Sequence, residues 1–294
     1  MVPALALWRR SAAVVAIIAF ALIAAVALVD APASQAFVEF NHQRIRTFQD
    51  QHDPRRPRIP RVVLLGNSRL KNATIDTESP ALSAAGAGPG RIESFRLVAN
   101  WAVFRNFEPL LDEIRGLRAD VYVIQMDLLV EEMAPSFQHE LAFKYLRWLT
   151  AGKGAWTWYE PMKEQLDLVC TNESEPEMRA TRAETKLIVD PSAASPRMAQ
   201  EFIAAVTAAG ARVLLVSVPK SEPFERILPS VSPTMIATAR QIANSAPGVT
   251  IATYPNSLPI DHFCDVTHLN REGAAAYSRW LFDRLSSVRL ASGT

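Results

Sequence analysis

The sequence predicts an α/β fold: a parallel five-stranded sheet with helices on both faces, a three-layer sandwich preceded by one N-terminal transmembrane helix. Three observations lead there. Short apolar runs rich in β-branched residues alternate with segments of helical periodicity. These runs are apolar on both faces, as strands of a covered parallel sheet must be. The first thirty residues carry an uninterrupted apolar segment. Residues 1–36 accordingly read as a membrane anchor or signal segment and 37–60 as a linker. Residues 61–294 read as one domain with a helical, aromatic insertion at about 130–191.

From Ala12 to Val29 every residue is apolar, with Arg9 and Arg10 before and Asp30 after. Eighteen residues at 1.5 Å rise reach about 27 Å, close to the hydrocarbon thickness of a bilayer. The flanking arginines favour a body outside the cytoplasm. A cleavable signal peptide is the rival reading, because Ala31-Pro32-Ala33 and Ser34-Gln35-Ala36 resemble cleavage sites. Both readings put the rest of the chain in the periplasm or exterior. The following polar residues end in Pro54-Arg55-Arg56-Pro57-Arg58-Ile59-Pro60, which reads as extended linker.

The first strand is Arg61-Val62-Val63-Leu64-Leu65-Gly66-Asn67, followed by Ser68 and Arg69. A serine here stands at the strand's C-terminal end, where open α/β sheets place their chemistry. Ser94 to Ala99 is the second strand, Phe107 to Leu117 a helix, and Val121 to Met126 the third strand. Residues Val130 to Pro191 lack a strand pattern and hold Tyr145, Trp148, Trp156, Trp158 and Tyr159. Helix packing, sugar stacking and membrane-interface contact are the open uses of these rings. Pro196 to Ala209 is helical with Gly210 as its stop, and Arg212 to Pro219 is the fourth strand. Met235 to Asn244 is helical, Val249 to Thr253 is the fifth strand, and Arg271 to Arg289 is a closing helix.

A net charge of +1 with 21% charged residues and no dominant basic stripe gives no reason to expect nucleic acid as a partner. Cys170 and Cys264 are the two cysteines; a disulfide between them is permitted but not demanded. No C-x-x-C is present, no structural zinc is expected, and no cofactor is implied. The set Asp261, His262, Cys264, Asp265 and His268 mixes ligand types without a second cluster, so it does not read as a metal site. Lys220 follows the fourth strand on the same edge as Ser68, open to solvent or to an anionic substrate. Asn72-Ala73-Thr74 and Asn172-Glu173-Ser174 fit the weak N-glycosylation pattern.

A serine hydroxyl becomes a nucleophile when an imidazole takes its proton and a carboxylate fixes that imidazole. Asp265-Val266-Thr267-His268 offers both groups three residues apart, just before a helix that Asn270 caps. Each residue also has a plain structural use: Ser68 as an N-cap, Asp265 as a backbone acceptor, His268 as packing. Asp261 and His262, adjacent in sequence, suit a triad less well.

Together these residues resemble the SGNH, or GDSL-type, hydrolases. Gly66-Asn67-Ser68 matches the first block as a variant of Gly-Asp-Ser, and Asp265-Val266-Thr267-His268 matches the last. The likeness covers about residues 61–290. It implies Ser68 as nucleophile and oxyanion donor, His268 as base and Asp265 as its partner. In the second block, Asn100 to Asn106 holds no glycine, and in the third Leu129 stands where asparagine is usual. Asn67, Arg105, Asn106 and Gln125 are the remaining oxyanion candidates. The pattern is similar to the envelope branch, whose members accompany membrane-bound O-acyltransferases. That likeness implies acyl transfer to or from an exported glycan through an acyl-Ser68 intermediate. A degenerate domain that binds a glycan or an O-acyltransferase without catalysis is the rival class, and a lipase a third.

Overall fold

Five strands line up in the order β2-β1-β3-β6-β7, all parallel: β1 (Arg61–Asn67), β2 (Glu93–Ala99), β3 (Val121–Gln125), β6 (Arg212–Val216) and β7 (Val249–Ala252). The computed structural model describes residues 14–21, 24, 37–50, 60–74, 92–99, 102–134, 187–227, 229, 231–255, 258–265 and 267–290. The expected five-stranded parallel sheet is present. Its central strands are buried along their whole length, because both faces are covered: Val62, Val63, Leu65, Val123 and Ile124 are fully enclosed. Burying each such side chain stabilises the fold by about 1.5–3 kcal/mol. Strand order reverses between β1 and β3, so the C-terminal ends of these two strands flank a switch point, the usual ligand position in such sheets.

The chain divides into two compact units, residues 1–40 with 134–163 and residues 41–133 with 164–294. In the first unit residues 14–21 and 37–40 are helical. Here the expectation of a transmembrane helix is corrected. Among the described residues no helix is long and apolar enough to cross a membrane. Apart from Ala24, the rest of the 12–29 segment lies outside the described residues.

The second unit holds the sheet. Within the segment read as linker, residues 41–50 are helical (α1), with Ile45 and Phe48 buried. The Arg61 guanidinium sits 4.4 Å from the centre of the Phe48 ring and donates to the Phe48 carbonyl. A cation over an aromatic face, together with the buried Ile45, explains why this polar stretch is ordered. The remaining helices are α2 (Ser68–Ala73), α3 (Leu111–Gly116), α4 (Ala194–Ala208), α5 (Glu222–Ile227), α6 (Val231–Ser245) and α7 (Arg271–Leu290). The segment before α3 is a 3₁₀ helix, Phe104–Leu110, containing Pro109, where a single longer α-helix was expected. Helix α4 ends as expected at Gly210, whose φ of 89° is the left-handed conformation a stop requires.

The block from Val130 to Pro191 departs from its reading as strandless. Its two ends form an antiparallel ribbon, β4 (Glu131–Met133) with β5 (Leu187–Val189), which pairs Glu131 with Val189. Three residues per strand are too few to show an alternating pattern, so the ribbon left no periodic signal. The five aromatics and Cys170 lie outside the described residues.

Candidate active site

Ser68 is the first residue of α2, and the strand-to-helix turn before it is unusually tight. A Cβ on Gly66 would lie 2.5 Å from Leu70 Cδ2 and 2.8 Å from Gln125 Oε1. Only glycine fits there. Asn67 caps the helix by accepting the Arg69 N–H at 3.0 Å, which sets the first turn and leaves Ser68 at its mouth.

At the other end of the unit, the loop before α7 is held shut by a bridge between Phe263 and Leu269 and by the Cys264 N–H donating to the His268 carbonyl at 2.8 Å. Asn270 caps α7, accepting the Glu272 and Gly273 N–H groups, as its position in the sequence predicts. Inside this loop Asp265 does two things. Its Oδ1 accepts the backbone N–H groups of Thr267 and His268, each at 2.7 Å, closing a local turn. Its Oδ2 lies 2.7 Å from His268 Nδ1.

The two segments meet. His268 Nε2 is 2.9 Å from Ser68 Oγ, in a half-buried contact. Because an ionised carboxylate only accepts, Nδ1 carries the proton towards Asp265, and Nε2 presents its lone pair to the serine hydroxyl. Burial alone would raise the Asp265 carboxyl; the His268 hydrogen bond and charge outweigh it and hold the group well below its ordinary range. Helix α7 brings this loop to α2: the Ser278 hydroxyl donates to the Ala73 carbonyl at 3.1 Å. By contrast Asp261 and His262 pair with each other at the surface, 3.0 Å apart. Among the described residues no group of His, Cys, Asp and Glu is arranged to hold a metal ion.

The oxyanion candidates divide sharply. The Arg105 N–H donates to Ser195 Oγ at 3.0 Å, and the Asn106 side chain accepts from the Val103 N–H at 2.9 Å. Gln125 is fully buried: its Nε2 donates to Asn67 Oδ1 at 3.0 Å and to Asp127 Oδ2 at 2.7 Å, while its Oε1 accepts the Asn67 N–H. Asn67 Nδ2 donates to Glu131 Oε2 at 3.3 Å. The Gln125 amide and the N–H groups of Arg105 and Asn67 are therefore engaged with other parts of the fold. The Ser68 N–H, at the first position of a helix, has no intrahelical acceptor.

Behind Ser68 lies a buried ionic cluster that the sequence did not reveal. Arg69 bridges Asp127 and Glu131, with Arg69 Nη2 2.7 Å from Glu131 Oε1. Lys220 Nζ lies 3.1 Å from Asp127 Oδ1 and is enclosed, so it faces neither solvent nor a substrate. Burial would lower the Arg69 pKa, but the two carboxylates raise it further above its ordinary value. Burial likewise opposes ionisation of Asp127, yet Arg69 and Lys220 hold it well below the usual range, whereas burial leaves Glu131 raised. The signal available in sequence was two acids set in an otherwise apolar run, Met126-Asp127-Leu128-Leu129-Val130-Glu131. Charges so placed are buried with partners.

Cys264, beside Asp265, is disulfide-bonded.

Comparison with protein families finds no match, and no curated protein matches either. Among solved structures, a Streptococcus pneumonia protein provisionally named a platelet activating factor is similar at 11% identity and a TM-score of 0.38, over 83% of this chain and 92% of that one. A likeness this distant says nothing about what this chain does.

Proposed function

We infer that this protein is a serine ester hydrolase or O-acyltransferase of the SGNH type. One observation carries the reading: the relay Ser68 Oγ to His268 Nε2 at 2.9 Å, and His268 Nδ1 to Asp265 Oδ2 at 2.7 Å. Ser68 Oγ attacks an ester carbonyl while its proton passes to Nε2; the developing oxyanion takes the Ser68 N–H. Collapse expels the alcohol, which receives the proton from His268, and leaves an acyl-Ser68 ester. Water or a second hydroxyl then repeats the sequence in reverse. With an acceptor alcohol the outcome is transfer, and with water it is hydrolysis.

For substrate, we favour acyl esters of a cell-envelope glycan, with a membrane-bound O-acyltransferase as partner and an extracytoplasmic site of action. The disulfide at Cys264 supports an oxidising compartment.

A second reading, a binding domain without catalysis, draws on the engaged oxyanion candidates: the Gln125 amide and the N–H groups of Asn67 and Arg105 have other partners. Missing one oxyanion donor costs about 2.7–4 kcal/mol of barrier, enough to slow an enzyme but not to abolish it. The full chain assayed on an activated acetyl ester near neutral pH, beside Ser68→Ala and His268→Ala, separates the two. Activity lost by orders of magnitude in both variants, with fluorophosphonate labelling of wild type alone, supports the enzyme. Uncatalysed rates and no labelling in all three favour the binding domain.

A further inference from the structure

We propose that Glu131, on the first strand of the ribbon, is a positioning residue for the nucleophile: it holds the side chains of both residues that flank Ser68. The inference rests on the esterase reading above. Glu131 Oε1 accepts from Arg69 Nη2 at 2.7 Å, and Oε2 accepts from Asn67 Nδ2 at 3.3 Å. All three residues are buried. Ser68 therefore sits on a turn whose two shoulders are tied to one carboxylate arriving from β4. The opposite sides of the same shoulders are tied to β3 and the 3₁₀ segment after it, through Gln125 to Asn67 and through Asp127 to Arg69.

This arrangement accounts for asparagine at position 67. An aspartate there would set a second carboxylate against Glu131 Oε2 at the position now held by a donor 3.3 Å away. The cluster of Arg69, Lys220, Asp127 and Glu131 balances two cations against two anions. A third buried anion would be uncompensated, and a buried uncompensated charge is strongly unfavourable. Glu131 and Asn67 are thus a matched pair, a carboxylate set against an amide donor.

The test is a charge exchange in the full chain, with Asn67→Asp, Glu131→Gln and the double variant. Steady-state kinetics on an activated acetyl ester and the rate of fluorophosphonate labelling are read on samples shown by thermal melting to be folded. A displaced nucleophile lowers turnover, not binding. Each single variant is expected to lose about tenfold to a hundredfold in kcat and in labelling rate, with KM held within about twofold. In the double variant the carboxylate introduced at position 67 accepts from the amide introduced at position 131. The cluster is again neutral, so both rates recover to within a few-fold of wild type. A purely structural role predicts losses that follow melting temperature and no recovery. Singles equal to wild type, or a double no faster than the slower single, overturn the proposal while leaving the esterase reading intact. A wild type that neither turns over nor labels removes both.

Discussion

His268 Nε2 and Ser68 Oγ lie 2.9 Å apart across 200 residues of sequence. The contact depends on Asp265, which fixes the imidazole through Nδ1 and folds its own loop through the N–H groups of Thr267 and His268. Asp265→Asn keeps the shape but offers an amide that can donate to Nδ1, turning the imidazole to the tautomer with Nε2 protonated. That tautomer cannot take the serine proton. The expected loss is about 10⁴ in kcat, with fluorophosphonate labelling falling in parallel. A variant retaining a tenth of wild-type turnover would show that His268 does not work through Asp265.

The same carboxylate makes a prediction about pH. Asp265 is held below its ordinary value of 3.8, so in the folded state it stays ionised where the unfolded chain already binds a proton. Its contribution to stability is full above about pH 3.8 and is lost as pH falls through the folded value. The stability difference between wild type and Asp265→Asn, followed by denaturant unfolding, is expected to be constant at mildly acidic to neutral pH. It narrows below that point. A difference unchanged into strong acid contradicts the assignment.

Asp127 compensates two buried cations at once, Arg69 and Lys220. Asp127→Ala leaves one positive charge in the interior without a counterpart. Loss of one partner from a buried pair costs about 3–5 kcal/mol. Urea unfolding of the variant should show a loss of that size; a loss under about 1 kcal/mol would mean that solvent reaches the cluster.

Gly66→Ala places a methyl 2.6 Å from Leu70 Cβ as well as against Gln125. Leu70 is fully buried and cannot swing away, so β1 and α2 must part. The expected cost is about 1–3 kcal/mol of stability, together with a fall in kcat because the shift passes straight to Ser68. Calorimetry and the ester assay on one preparation check both.

The disulfide at Cys264 adjoins the Asp265 turn. Reduction, or Cys264→Ser, is expected to lower stability by about 2–4 kcal/mol, read as a drop in melting temperature with and without reductant.

Much of this was legible in the chain. The apolar runs located all five strands of the sheet to within a few residues, because covered strands must be apolar along their length. Ser68, Asp265 and His268 stood out because a nucleophile, a base and a carboxylate appeared next to a strand end and a helix start. Asn270 could be named as a cap because that job depends on neighbours in sequence. The helix at 41–50 and the ribbon of Glu131–Met133 with Leu187–Val189 were not legible, since a few buried side chains or three-residue strands leave no period.

What the sequence alone determined was which segments are strands, which residue types could do acyl chemistry, and which turns are locally capped. These follow from periodicity and nearest-neighbour hydrogen bonding, both written along the chain. Only the tertiary structure decided that His268 reaches Ser68, that Lys220 is enclosed by Asp127 and not offered to a substrate, and that Glu131 holds Asn67 and Arg69 together. Those facts depend on strand order and on which distant elements become neighbours. Whether a charge can be buried is settled by the partner it finds there, and the partner is named nowhere in its own stretch of chain.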